Sequence, residues 1–127
     1  MPNQFQKHYT IEEARALLPQ IRQWLKRIVQ FRAALEKLDQ RLTALAAPGR
    51  DLGGPVVHEW VRTLANIKED LLEFQRREIQ IKDLDRGLLD FPAIIGGKEV
   101  FLCWEQDEDD IEFWHDLDAG YAGREPL

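Results

Sequence analysis

A chain of 127 residues with 44% hydrophobic and 31% charged residues is long enough to bury a core and too apolar for general disorder, so one domain over 1–127 is expected. It has no apolar run of bilayer-spanning length, and its start, MPNQFQKHYTIEEA, has no apolar signal core. Its single cysteine, Cys103, excludes an internal disulfide and fits a reducing compartment, so the reading is cytoplasmic. The net charge of −6 divides into +4 over residues 1–82 and −10 over 83–127. The acidic part discourages nucleic acid, and the interspersed charges of the basic part read as a solvated helical surface.

Residues 1–9 read as a short arm. Thr10 and Glu13 then spell a capping box, in which each side chain satisfies the other residue's free backbone N–H. Apolar residues recur in steps of three and four from Ile11 to Leu45, which predicts a helix over 10–47 with a seam that shifts between Ile28 and Phe31. Pro19 removes one helix hydrogen bond, so the helix should bend near Leu18 or break there. Residues 50–54 form a loop, and Pro55 opens a second helix over 55–86. Its seam is Val57, Trp60, Leu64, Ile67, Leu71, Phe74 and Ile81, interrupted by Glu78. A second stripe of Val61, Ala65, Leu72 and Ile79 widens the apolar face, and Gly87 is the expected left-handed cap. A first helix of this length spans roughly 50 Å. That is more than one compact core of this size needs, so a homodimer through the helical hairpin is expected.

After Gly87 the period changes to alternation. Strands are predicted over Leu88–Ile95, at an edge because of Pro92, then Glu99–Trp104 and Asp110–His115, with Gly96-Gly97 as a hairpin turn. Val100, Leu102 and Trp104 share one face, and Phe101 and Cys103 the other. The fold class is α+β: a long antiparallel helical hairpin followed by a small three-stranded antiparallel β-meander over 88–115, with an irregular tail over 116–127.

No phosphate-cradling loop, metalloprotease helix, Cys pair or dinucleotide fingerprint is present. His115 shares a face with Ile111 and Phe113 and reads as a half-buried imidazole, a general acid/base or metal ligand in one view and a hydrogen-bonded core residue in the other. Asp90 stands between Leu89 and Phe91, and Glu105 follows Trp104 at a strand end. These two carboxylates and His115 are the candidate catalytic or metal-ligating set. Carboxylates suit Mg²⁺, Ca²⁺ or Mn²⁺, and the imidazole extends the choice to Zn²⁺ or Fe²⁺. No cofactor beyond such a divalent ion is expected. The run Asp107–Asp110 reads as a solvated turn. Arg124, one of three basic residues after position 82, either pins the tail to the sheet or holds an anion, with Trp104 and Trp114 as candidate pocket walls. Cys103 reads as a buried inert thiol.

Gly87-Leu88-Leu89-Asp90-Phe91-Pro92, Leu102-Cys103-Trp104, the run Ile111 to His115, and Gly120-Tyr121-Ala122-Gly123-Arg124 with Pro126-Leu127 resemble the bacterial "domain of unknown function 2203" family. Tyr9-Thr10, Glu13-Ala14 and Leu18-Pro19 are similar to that family's start, and Asp107-Glu108 stands where the family often carries Gly-Glu. The resemblance implies a small compact protein and assigns no activity. The leading expectation is therefore a homo-oligomeric interaction or scaffold protein without catalytic activity, with a protein partner beyond itself as a further expectation. The alternative is a metal- or small-anion-binding protein or enzyme with a site around His115, Asp90, Glu105 and Arg124.

Overall fold

A computed structural model describes residues 2–46 and 54–127. The end of the first helix at Ala47 and most of the expected loop lie outside these residues. Two helices, α1 (Ile11–Ala46) and α2 (Pro55–Arg76), precede a five-stranded antiparallel sheet in the order β1 (Gln80–Asp83), β2 (Leu88–Ile95), β3 (Lys98–Trp104), β4 (Phe113–Asp116) and β5 (Glu125–Pro126). The chain divides into two compact units. Residues 24–72 form one, and the arm, the first turns of α1, the end of α2 and the sheet form the other.

The helical unit follows its apolar period. Leu25, Ile28 and Leu38 of α1 and Ile67 of α2 are buried, as the seams predict, but Leu64 of the predicted α2 seam and Val61 and Ala65 of its second stripe are exposed. Polar pairs lie beside this seam: Arg27 holds the buried Asp70 carboxylate at 3.0 Å, and Trp60 Nε1 donates to Asp39 Oδ1 at 2.7 Å.

In the sheet unit the capping box forms as expected. Glu13 N donates to Thr10 Oγ1 at 3.1 Å, and Thr10 N donates to Glu13 at 3.3 Å. The helix runs through Pro19 without a break. The second helix ends ten residues earlier than its apolar spacing suggests, at Arg76 and not at 86. Glu78 takes the left-handed position (φ 57°) and Ile79 N closes back to Phe74 O at 3.1 Å, which is the helix-ending hydrogen bond expected at a glycine. The strain at Glu78 is offset by its carboxylate, which accepts the Gln6 N–H at 3.0 Å. Gln80–Asp83 then becomes a strand, so Gly87 (φ 63°) closes the β1–β2 turn and does not cap a helix. A side chain at Gly87 would collide with Gln106 at under 3 Å.

The sheet therefore has five strands where three are expected. β1 is cut from the second predicted helix, and β5 from the predicted irregular tail. Pro92 does not lie on an edge strand, because β2 sits between β1 and β3. It is tolerated because β1 pairs only as far as Asp90, and beyond that point the Pro92 carbonyl accepts the Tyr9 N–H of the arm at 2.7 Å. The third predicted strand begins at Phe113, not Asp110, because residues 105–112 are taken up by a loop bonded to α1.

Register sorts the sheet into two faces. Leu89, Phe91 and Ala93 stand opposite Trp104, Leu102 and Val100, and this face is the apolar core. Ala14, Leu18 and Ile21 are buried with it, and the Arg22 guanidinium lies 4.9 Å from the Trp104 ring. On the other face Asp90 stands opposite Cys103, Phe101 opposite His115, and Cys103 opposite Phe113.

Candidate functional site

The second face of the sheet holds a buried polar cluster made by three adjacent strands. β2 supplies Asp90, β3 Cys103 and β4 His115, and their ligand-type atoms all lie within 4.8 Å of one another. The side chains of His115 and Asp90 are only 1% and 3% exposed, and Cys103 is equally closed to solvent. His115 Nε2 is 2.9 Å from Asp90 Oδ1, and Nδ1 is 2.7 Å from the Asp116 carbonyl oxygen. A carbonyl can only accept, so Nδ1 carries a proton. One further proton must then lie between Nε2 and Oδ1.

The Cys103 thiol is pushed up to about 12, first by burial and then by the Asp90 carboxylate, with Arg124 opposing the shift. In this state the sulfur is a neutral thiol and a poor nucleophile. The cluster is a set of three ligand types held together by protons.

Arg124 stands beside it. Its Nη1 is 3.9 Å from Cys103 Sγ, and its two Nη atoms fork onto the Glu108 carboxylate at 3.0 and 2.7 Å. The guanidinium also faces the Phe113 and Tyr121 rings, at 4.0 and 4.4 Å from their centroids. Burial alone would lower its pKa, yet the bonds to Glu108 and Cys103 raise it above the ordinary arginine value.

Glu108 is the hub of the acidic turn. Its N–H closes the turn onto Glu105 O, and its carboxylate accepts the Glu105 N–H at 2.8 Å. Its carbonyl accepts Trp104 Nε1 and Arg22 Nη2, each at 2.9 Å. Arg15 reaches Asp110 at 3.1 Å and the Ile111 carbonyl at 2.8 Å. The run Asp107–Asp110 is therefore not simply a solvated turn, since two of its four acids engage arginines while Asp107 and Asp109 remain exposed.

Of the residues singled out from sequence, Asp90 and His115 meet. Glu105 does not join them: its carboxylate binds Arg86 at 2.7 Å, and that bond, against some burial, holds it below the usual carboxylate range. Trp104 and Trp114 do not line the cluster either. Trp104 belongs to the apolar face opposite Leu89, and Trp114 pairs with Leu102 on that same face. Arg124 pairs with Glu108, and its anion-binding fork is already filled.

Cys103 is the member that sequence reasoning discounted. A two-residue turn at Gly96-Gly97 sets Ile95 opposite Lys98, and counting back along that register sets Asp90 opposite Cys103, so the pair was derivable. His115 was not derivable this way, because a loop separates β3 from β4. Glu108 stands at the Glu of the family's Gly-Glu pair, but nothing in its spacing pointed to Arg124 as its partner.

A model of a family described as "Uncharacterized conserved protein (DUF2203)" matches residues 7–127. No curated protein and no solved structure matches the chain.

Proposed function

The chain belongs to the uncharacterised DUF2203 family, and from its geometry we propose that it binds one divalent transition-metal ion through Asp90, Cys103 and His115. The observation that carries this is the convergence of carboxylate, thiol and imidazole in a closed site, with the imidazole already oriented. The Nδ1–H bond to a backbone carbonyl leaves Nε2 as the ligating atom, the usual arrangement behind a metal-bound histidine. A sulfur and a nitrogen ligand favour Zn²⁺ or Co²⁺ over Mg²⁺ or Ca²⁺. Cys103, and not Glu105, is the third ligand, because Glu105 is held by Arg86.

Binding exchanges charge evenly. The ion brings two positive charges, while the thiol proton and the proton between Nε2 and Oδ1 leave, so the buried cluster keeps its net charge. Affinity therefore falls as pH falls. Native mass spectrometry of protein exposed to Zn²⁺ tests the proposal. One ion per chain is expected, with loss of binding in Cys103→Ala. A chain that stays metal-free at equimolar Zn²⁺ and neutral pH contradicts it.

We also infer that the helical unit pairs with a second copy of itself. The supporting observation is that Val29, Val61 and Leu64 are 55%, 53% and 42% exposed. Val57, Leu64 and Leu71 of the predicted α2 seam, with Val61 of its second stripe, repeat in steps of four, three and seven and are less buried than Ile67 of that same predicted seam. Light scattering on a sizing column should give twice the chain mass, and Leu64→Glu should give the chain mass. A monomeric parent protein at tens of micromolar would contradict this reading.

A further inference from the structure

We infer that Arg124 is the positioning residue of the metal centre: its guanidinium donates to the Cys103 sulfur and, latched by Glu108, keeps the bound ion in place. This rests on the metal reading above and adds what retains the ion.

The guanidinium is fixed on several sides. Two of its N–H groups are spent on Glu108, its flat face meets Phe113 and Tyr121, and its side chain is 11% exposed. Nη1, which reaches Glu108, also lies 3.9 Å from Sγ. A neutral thiol is a weak acceptor, and metal binding converts it to a thiolate, for which the same N–H becomes a charge-assisted partner at little cost in rearrangement. The contact thus strengthens when the ion is bound, which is the property of a retaining group.

Glu108 is anchored independently of Arg124, through Trp104 Nε1, Arg22 and the Glu105 N–H. The latch is therefore rigid on the sheet side. On the other side it is carried by the tail, where Tyr121, Ala122 and Gly123 are exposed. The three ligands themselves are shut off from water. A lysine cannot replace Arg124, because one ammonium cannot fork onto Glu108, lie flat against two rings and reach the sulfur together.

The test uses the full chain loaded with Co²⁺, whose thiolate charge-transfer band reports the Co–S bond. Loss of the band is followed after adding excess EDTA to the parent protein, Arg124→Lys and Glu108→Gln. Removing such an outer partner of a ligand typically costs 10–100-fold in affinity. Cobalt loss should be about 10-fold or more faster in Arg124→Lys, with a shifted band, and accelerated in Glu108→Gln. Melting of the metal-free proteins, run in parallel, separates this from simple unfolding. If Arg124→Lys does not fold, Glu108→Gln alone decides. Unchanged loss rates and an unchanged band overturn the inference. A parent protein that takes up no Co²⁺ overturns the metal reading and this one with it.

Discussion

The helical unit and the sheet unit solve burial in opposite ways. Residues 24–72 bury mostly aliphatic and aromatic side chains, with Asp70 held by Arg27 and Thr63 returning its hydroxyl to Glu59 O. The sheet has one face of that kind and a second face where an acid, a thiol and an imidazole are buried together. The first arrangement is held by volume and contact, which degrade gradually. The second is held by protons and charge in a low dielectric, where one missing partner leaves an uncompensated group. Well-packed apolar residues of similar size often stabilise as well as such a buried pair or better.

The sharpest way to break this contrast is His115→Ala. It strands the buried Asp90 carboxylate and should cost about 3–5 kcal/mol in urea unfolding of the metal-free protein. The double change Asp90→Leu with His115→Phe should recover most of that loss while abolishing metal binding. If the double variant is as unstable as the single one, the cluster is a packing element that apolar groups cannot replace. In the helical unit Ile28→Ala should cost about 2–5 kcal/mol through lost contact and cavity. Unlike His115→Ala, its effect should be indifferent to added Zn²⁺. A zinc-dependent effect at Ile28 would dissolve the distinction between the units.

The smallest effect concerns the arm. Glu99 accepts the Gln4 and Phe5 N–H groups at 2.7 and 3.0 Å and meets His8 Nε2 at 2.7 Å. Although burial opposes it, the bonds to His8 and these amides hold Glu99 below its ordinary value of 4.5. A depressed carboxylate contributes stability that is fully present above that ordinary value and is lost as pH falls through the lower folded value. Hydrogen-exchange protection of the Gln4 and Phe5 amides should persist down to about pH 4–5 and then fall, and Glu99→Gln should remove that pH dependence. Protection that is the same in both proteins across this range would free the arm from Glu99.

Legibility followed the same division. The helices were readable because a period of three and four residues repeats over many turns, and Thr10 with Glu13 marked where α1 begins. The end of α2 was not, because Ile79 and Ile81 fit a helical stripe and an alternating strand equally well. The decisive fact, a left-handed Glu78, depends on the Gln6 amide brought to it from the arm. β5 was illegible because two residues carry no period. At the site, alternation assigned Cys103 to the right face, and composition drew attention to Asp90, His115 and Arg124. What turned a list into a cluster was register. The Gly96-Gly97 turn encoded it between β2 and β3, whereas the eight-residue loop 105–112 hid it between β3 and β4.

Whether this buried face holds a metal ion is decided by a Co²⁺ titration of the full chain read by absorption. A thiolate-to-cobalt charge-transfer band is expected that saturates at one equivalent, disappears in Cys103→Ala, and is displaced by Zn²⁺. Absence of that band at stoichiometric Co²⁺ and neutral pH, with the protein folded, would contradict the metal reading and leave Asp90, Cys103 and His115 as a hydrogen-bonded part of the core.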